Sequence, residues 1–277
     1  MADRSNLIFS PDNFADLFAE WHRYPDAVPF AGGTALIRCQ DRQVPELPPV
    51  ILSLDGIEEM RRISRSERYL EIGATVKLSR IIEQRKFVPD VLVQCLRNIA
   101  GPQLRNMATI GGNICCHLDS ASAFTALDAQ YELRSAQSSR WITAARFSPE
   151  PSPGALGSRE LLSRIRVPLD NWDYHAYKKF VRQASATGAG RNAVFLAKAQ
   201  KNVLADIRII CKTGDRIWRD KDSESLLIGK RLPITHRIAS AFVGRWETFL
   251  RSAENVDDLS RRELVNFIEA NVGNLVE

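Results

Sequence analysis

Two pairs of adjacent glycines constrain this chain more than any other feature of its sequence. Gly32–Gly33 lies in the stretch PFAGGTALI, and Gly111–Gly112 lies in MATIGGNI. Glycine accepts backbone angles that other residues avoid and lets another group come close to the main chain. Consecutive N–H groups in such a turn favour anions. The residues alone leave two interpretations open, namely two ordinary tight turns or two loops that face each other and grip a pyrophosphate.

The spacing of apolar residues predicts an α+β chain in two parts. Helical periodicity predicts a helix over residues 11–24, and an apolar run predicts a strand at Val50–Leu54. The proline- and glycine-rich segment 148–157 is the best linker candidate. A second part begins near Leu169 and reads as several strands followed by helices after residue 222. Strands and helices do not alternate strictly, which favours α+β over a series of βαβ units.

The composition is that of an ordinary globular protein, with 44% hydrophobic residues, 26% charged residues and a net charge of +5. No apolar run approaches the ~18 residues that a membrane span needs, and the N-terminus has no core of signal-peptide length. We therefore expect a cytoplasmic protein without a membrane partner. The basic residues are spread along the chain, which argues against a nucleic-acid surface.

The cysteines and histidines predict neither a disulfide framework nor a metal site. The five cysteines are an odd number and form no CxxC pair. Iron–sulfur clusters usually need four closely spaced thiolates, and the four histidines are isolated. We expect no metal ligand and no catalytic side chain in this chain. The cysteines are Cys39, Cys95, Cys115, Cys116 and Cys211.

A third glycine motif competes with the two pairs. The stretch GAGRNA, Gly188–Ala193, fits the pattern G-x-G-x-x-A, and Asp206 follows at about the distance that a dinucleotide fingerprint asks. Such a motif should open a long helix. The residues that follow alternate as strands do, so we interpret this motif as a loop.

Taken together, the motifs resemble the FAD-binding medium subunit of the xanthine dehydrogenase and carbon-monoxide dehydrogenase family of molybdenum hydroxylases. The matching segments, in order, are AGGTALI, IGATVKLSRI, LRNMATIGGN, ELLSRIRVPL, YKKFVRQA and SESLLIGKRL. The resemblance covers nearly all of the chain. It implies a two-lobed FAD-binding fold of the vanillyl-alcohol oxidase type over residues 1–168, and a small α+β C-terminal domain over residues 169–277.

The resemblance also implies which residues bind FAD. The first pyrophosphate loop would be Pro29, Phe30, Ala31, Gly32, Gly33, Thr34, Ala35 and Leu36. The second would be Thr109, Ile110, Gly111, Gly112 and Asn113. In this loop the two glycines would bring backbone amides to the pyrophosphate, and Thr109 and Asn113 would supply polar edges. The remaining cofactor contacts would be Ile99 and Ala100 near the ring system, Asp119 as a hydrogen-bond partner, Leu162 as a packing residue and Lys179 near the flavin.

Three positions depart from the family pattern. Ala35 stands where the family often has an acidic residue, and Thr187 stands where it commonly has Asp. The segment between Asn113 and Asp119 is two residues shorter than usual. These departures leave a flavin-free assembly subunit as an alternative. A free-standing flavoenzyme of the same fold is a second alternative, although we find no substrate base or arginine clamp for it.

As a subunit of such a complex, the chain would take electrons from 2Fe–2S clusters of a small partner subunit. It would pass them to NAD⁺ or another acceptor. The substrate would be oxidised at a molybdopterin site in a separate large subunit, so this sequence cannot identify it. By family frequency the resemblance favours purines as substrates, and it leaves carbon monoxide, aldehydes and N-heterocycles open.

Overall fold

A computed structural model of the chain describes residues 6–38, 40, 46–148, 156–180, 190–254 and 256–276. The strands of these residues are β1 (Leu7–Phe9), β2 (Val28–Phe30), β3 (Val50–Ser53), β4 (Ile63–Arg65), β5 (Tyr69–Gly73), β6 (Gln130–Arg134), β7 (Ser139–Thr143), β8 (Leu161–Pro168), β9 (Tyr174–Phe180), β10 (Arg191–Gln200), β11 (Val203–Thr213) and β12 (Arg216–Trp218). The α-helices are α1 (Phe14–Arg23), α2 (Thr34–Arg38), α3 (Leu78–Glu83), α4 (Asp90–Arg97), α5 (Pro102–Met107), α6 (Ile110–Cys115), α7 (Ser120–Ala126), α8 (Lys221–Leu227), α9 (His236–Ser252) and α10 (Asp258–Gly273).

The chain divides into two compact units, each assembled from three segments of sequence. Unit 1 consists of Met1–Val88, Ile99–His117 and Asp128–Leu169, and unit 2 consists of Pro89–Asn98, Leu118–Leu127 and Asp170–Glu277. The change of unit after Leu169 lies next to the predicted domain boundary. Unit 2 also contains α4 and α7, which a single boundary does not foresee. The assignment of two family domains to residues 1–168 and 169–277 stays a prediction.

The N-terminal part of unit 1 is a small parallel sheet with strand order β1-β3-β2. Helix α1 contacts β3 and buries the apolar stripe that the sequence predicts. The stripe consists of Phe14, Leu17, Phe18 and Trp21. The side chain of Asn13 accepts a hydrogen bond from the backbone N–H of Asp16 at 2.9 Å, which caps the helix. The predicted helix is therefore confirmed with slightly narrower bounds.

The larger sheet of unit 1 is antiparallel, with strand order β4-β5-β8-β6-β7. Its central strand β8 is the predicted strand ELLSRIRVPL, and β6 and β7 are the predicted strand pair. The Arg164 guanidinium bridges carboxylates on both neighbouring strands, at 3.1 Å from Glu71 and from Glu132. These charged contacts link β8 to β5 and to β6.

Unit 2 is built on an antiparallel sheet with strand order β12-β11-β10-β9. Alternate residues of a strand point to opposite faces. One face packs Phe195 and Ile209 against α9 and α10, with Trp246 and Phe267 in the same core. Helices α4 and α7 contact the same strands. From the opposite face of the sheet, Asn192 and Arg208 donate hydrogen bonds to Asp119 and Ala126, at the two ends of α7.

Three sequence predictions touch residues outside the described part of the chain. The linker prediction 148–157 falls mostly on residues 149–155, which lie outside it. Thr187 and the first two residues of GAGRNA also lie outside it. Of the rest of that motif, Arg191 already begins β10, so a strand follows rather than a long helix. This finding confirms that the third glycine motif is not a dinucleotide fingerprint.

Candidate functional site

The two segments with glycine pairs adjoin one another within unit 1. Gly32 packs directly on the end of α5. A Cβ atom on Gly32 would lie 2.1 Å from the carbonyl oxygen of Met107 and 3.3 Å from the Cα of Ala108. Thr109 follows immediately. The first predicted loop therefore lies against the residues that lead into the second, and only glycine permits this approach.

Each glycine pair lies at the N-terminal end of a short helix, one before it and one within it. Helix α2 begins directly after Gly33, whose φ of +65° is left-handed and suits glycine. Gly111 and Gly112 instead lie in the first turn of α6. The interpretation of TIGGN as an ordinary tight turn is therefore wrong.

Glycine is needed at position 111 for a different reason than the expected one. Its backbone N–H donates to the carbonyl of Ala74 at 2.8 Å, and the N–H of Ile110 donates to Val76 at 2.9 Å. A Cβ on Gly111 would lie 2.7 Å from both the Cβ and the carbonyl oxygen of Ala74. Gly111 thus allows α6 to pack against residues 74–76. The expectation that its amide faces a pyrophosphate is corrected, because that N–H is used within the protein.

The polar residues of the second segment are buried and support α6. Thr109 is the N-cap residue, and its hydroxyl oxygen accepts a hydrogen bond from the N–H of Gly112 at 3.2 Å. Asn113 is also buried. The Thr109 hydroxyl can still donate its own proton. The Thr109 hydroxyl therefore serves the helix, and Asn113 lies inside the protein rather than on an open edge.

The first turn of α2 differs from that of α6 in how its backbone N–H groups are used. The first N–H groups of a helix have no intrahelical acceptor. In α2 the N–H of Ile37 is the first that bonds back, to the carbonyl of Gly33 at 3.1 Å. Helix geometry therefore leaves the N–H groups of Thr34, Ala35 and Leu36 without such a bond. The positive end of the helix dipole favours a negative group here.

Ile99 and Ala100, the residues predicted near the flavin ring, form a strained turn in unit 1. Ala100 has a φ of +47°, which is unusual for a residue with a Cβ. The guanidinium of Arg105 donates to the carbonyls of Ile99 and Ala100, at 3.0 and 2.6 Å. Strained backbone held by its surroundings is common at ligand sites. This geometry is compatible with the predicted role of the turn.

Leu162 lies in the central strand β8, where it pairs with Leu133 of β6. Only 2% of its surface is exposed. Its side chain is therefore packed by the protein itself. The predicted contact between Leu162 and the cofactor stays a prediction.

Asp119 and Lys179 lie together in unit 2. The Lys179 Nζ donates to the Asp119 carboxylate at 2.6 Å and reaches the carbonyl of Asn98 at 3.4 Å. Asp119 is 6% exposed, and the Nδ2 of Asn192 lies 3.4 Å from its second carboxylate oxygen. The structure thus brings these two predicted residues together as an ion pair with a buried carboxylate and a partly exposed ammonium group. The other predicted residues belong to unit 1.

Sequence reasoning missed Asn192 and Lys212, which complete this group. In the register of the sheet, Lys179 of β9 pairs with Asn192 of β10, and Asn192 pairs with Lys212 of β11. Lys212 is completely buried. Burial lowers the pKa of Lys212, while the Asp119 charge opposes that shift. A polar residue at the end of an apolar strand such as ADIRIICK is the one sequence signal that could have indicated it.

Three of the four described cysteines lack the features of metal ligands. Burial raises the pKa of Cys95 and Cys211, and raises that of Cys115 to about 12, which disfavours thiolates. Within the described ranges, no group of three His, Cys, Asp or Glu side chains could hold a metal ion. Cys39 lies outside those ranges, so the absence of a metal site stays a prediction. No helix of the described residues is long and apolar enough to cross a membrane.

Comparison with known proteins agrees with the resemblance. The chain is 32% identical over 212 residues to the glyceraldehyde dehydrogenase medium chain of Sulfolobus acidocaldarius, which covers 74% of each protein. It is 27% identical over 289 residues to the nicotinate dehydrogenase FAD-subunit of Eubacterium barkeri, which covers 94% of this chain and 95% of that one.

The fold has a close counterpart among solved structures. A chain of the cyanide-inactivated Cu,Mo-CO dehydrogenase superposes with a TM-score of 0.81 at 21% identity, covering 98% of this chain and 97% of that chain. This match supports the predicted fold class. Residues 4–170 match the family described as the FAD binding domain in molybdopterin dehydrogenase. The chain therefore belongs to this family, its cofactor is FAD, and it is a component of an oxidoreductase.

Proposed function

We propose that the chain is the FAD-carrying medium subunit of a molybdenum hydroxylase. In this role it takes electrons from 2Fe–2S clusters of a small partner subunit and passes them to NAD⁺ or another acceptor. A separate large subunit would carry the molybdopterin at which the substrate is oxidised. The relatives named as a medium chain and as a FAD-subunit support this proposal.

The contact between the two glycine-pair segments is the observation that carries the proposal. Gly32 lies against Met107, so residues 29–36 and the N-terminus of α6 form one region of unit 1. The first N–H groups of α2 provide donors for a diphosphate. The Ala100 turn, which Arg105 holds by hydrogen bonds, precedes α5, and the last residue of α5, Met107, adjoins Gly32. The diphosphate of FAD fits the start of α2 better than the start of α6, because the first backbone N–H groups of α6 already donate within the protein.

FAD, when bound, supplies the redox chemistry that no side chain can supply. The residues of this chain bind and orient it, and none needs to act as a nucleophile or a general base. By resemblance, Asp119 and Lys179 are proposed as further cofactor contacts. Their ion pair offers both an acceptor and a donor to a bound group.

The decisive experiment is a visible spectrum of the purified chain with a measured FAD-to-protein ratio. A stoichiometric flavin spectrum would support the proposal. A colourless, folded chain that co-purifies with two further subunits would instead indicate the flavin-free assembly subunit. Adding NADH to the FAD-loaded chain tests the acceptor, because loss of the oxidised flavin band would identify NAD⁺.

The subunit role has its own test. Co-expression should give a complex with an iron–sulfur chain and a molybdenum chain, and the isolated chain should oxidise no hydroxylase substrate. Xanthine and an aldehyde are suitable first substrates. Turnover by the isolated chain would overturn the subunit role and favour a free-standing flavoenzyme.

A further inference from the structure

A row of three polar residues crosses one face of the sheet in unit 2. Lys179, Asn192 and Lys212 are register partners on three adjacent strands, and we call them the lysine row. The next rung on this face carries apolar residues on two of the three strands, Val194 and Ile210. The lysine row is therefore a local polar patch in a largely apolar layer.

One buried carboxylate faces the lysine row. Asp119 Oδ2 accepts from Lys179 Nζ at 2.6 Å, and Asn192 Nδ2 lies 3.4 Å from Asp119 Oδ1 and from the Asp119 carbonyl oxygen. The Lys212 Nζ donates to the carbonyl of Gly214. With both lysines protonated, two cations share one buried anion. The group then carries one surplus positive charge.

Among the described residues, no other charge removes this surplus. Asp215 is near enough to raise the pKa of Lys212, but it is exposed in the turn after β11, where water and salt weaken its effect. The described residues give Asn192 Oδ1 no hydrogen-bond partner. The amide of Asn192 is neutral, so it adds no counter-charge for either lysine.

Within the part of the chain that the structure describes, Lys212 has no carboxylate of its own, so stability does not explain its complete burial. Taking an ammonium group out of water is costly unless a partner compensates. Burial lowers the pKa of Lys212, which is the signature of that cost. Perturbed buried charges that adjoin ligand-binding groups are typical of functional sites.

We propose that Asn192 and Lys212 are positioning residues for the Asp119–Lys179 pair. Asn192 holds one carboxylate oxygen toward β10, so that the other stays with Lys179. Lys212 adds a fixed positive potential that favours the reduced, more negatively charged state of the cofactor at this pair. The inference rests on the proposed function, in which Asp119 and Lys179 contact FAD.

The test is the midpoint potential of the flavin in the full-length chain, measured together with FAD occupancy. Lys212→Met removes the charge and keeps a long apolar stem. We expect FAD to be retained and the midpoint potential to become more negative. Lys212→Arg keeps the charge and should leave the potential nearer to that of the wild type.

The matched control is Lys198→Met. Lys198 lies on the same strand as Asn192, six residues further on, which is roughly 20 Å away at ~3.3 Å per residue. This variant makes the same change in net charge and should leave the potential unchanged. An equal shift in Lys198→Met and Lys212→Met would overturn the inference.

A second variant keeps the inference testable if Lys212→Met does not fold. Asn192→Asp adds a negative charge to the lysine row and should also make the potential more negative. Unchanged potentials in both variants, or loss of folding in both, would overturn the positioning role. A wild-type chain without FAD would overturn the proposed function itself, which distinguishes the two failures.

Discussion

The glycine segments of unit 1 and the lysine row of unit 2 are built in opposite ways. At Gly32 and Gly111 the main chain approaches another main chain so closely that no Cβ fits. In the lysine row, the side chains of Lys179 and Asn192 contact the carboxylate of Asp119, and its charge also acts on Lys212. The first region is sensitive to added volume and the second to altered charge. Variants of matched size and charge can therefore separate the two.

The largest effect is expected from Asp119→Ala. This change leaves the buried Lys212 and the partly buried Lys179 without their counter-charge, and breaking a buried ion pair costs about 3–5 kcal/mol. Urea unfolding measures the loss. The control is Asp170→Ala, because Asp170 lies 3.8 Å from Lys198 with 48% of its side chain exposed, and exposed pairs contribute only about 0–1 kcal/mol. Equal losses in both variants would show that the lysine row is not a buried charged group.

The next largest effect is expected from adding side-chain volume at Gly32. Gly32→Ala places a Cβ 2.1 Å from the Met107 carbonyl oxygen, and overpacking of this kind costs about 3 kcal/mol. We expect lower stability in urea and loss of FAD. The control is Gly112→Ala, where the added Cβ meets only the Thr109 hydroxyl at 3.0 Å.

The same control sharpens the site assignment. Alanine is favoured over glycine in a helix by up to about 1 kcal/mol, so Gly112→Ala should remain stably folded. Loss of FAD from this stable variant would place Gly112 against the cofactor. Retention of FAD would indicate that α2 provides most of the diphosphate binding.

A smaller effect is expected at the cap of α6. Thr109→Ala removes the hydroxyl that accepts from the Gly112 N–H, and loss of an N-cap costs about 1 kcal/mol. Thr109→Ser keeps the hydroxyl and should restore most of the stability in the same urea titration. A serine variant as unstable as the alanine variant would assign the effect to lost methyl packing.

The smallest effect is a dependence on pH. In the folded chain, burial and the charge of Lys179 lower the pKa of Lys212 below its ordinary value of 10.5, against the opposing charges of Asp119 and Asp215. Between these two pKa values the unfolded chain binds more protons, so the stability of the wild type gains with rising pH. Lys212→Met has no titrating group at this position and therefore lacks this gain of stability with rising pH. The stability of the variant minus that of the wild type should be largest at neutral pH and should fall as the pH approaches 10.5. A difference that does not change with pH would contradict the lowered pKa.

Much of the fold could be predicted from local sequence patterns. The apolar stripe of α1, the strand pair β6–β7 and the long strand β8 follow from periodicities that each segment carries within itself. The sequence did not predict that α4 and α7 belong to unit 2. Helix pattern shows that a segment has an apolar face but does not show which sheet covers it, because that depends on contacts distant in sequence.

The sequence by itself determined where glycine is needed and which family the motifs resemble, because both properties reside in short runs of neighbouring residues. Only the tertiary structure decided why each glycine is needed. Gly32 faces Met107 and Gly111 faces Ala74, and these partners are remote along the chain. It also decided that the lysine row exists, because strand register alone aligns residues of β9, β10 and β11. A buried charge acquires its energetic cost from surroundings that no single segment encodes.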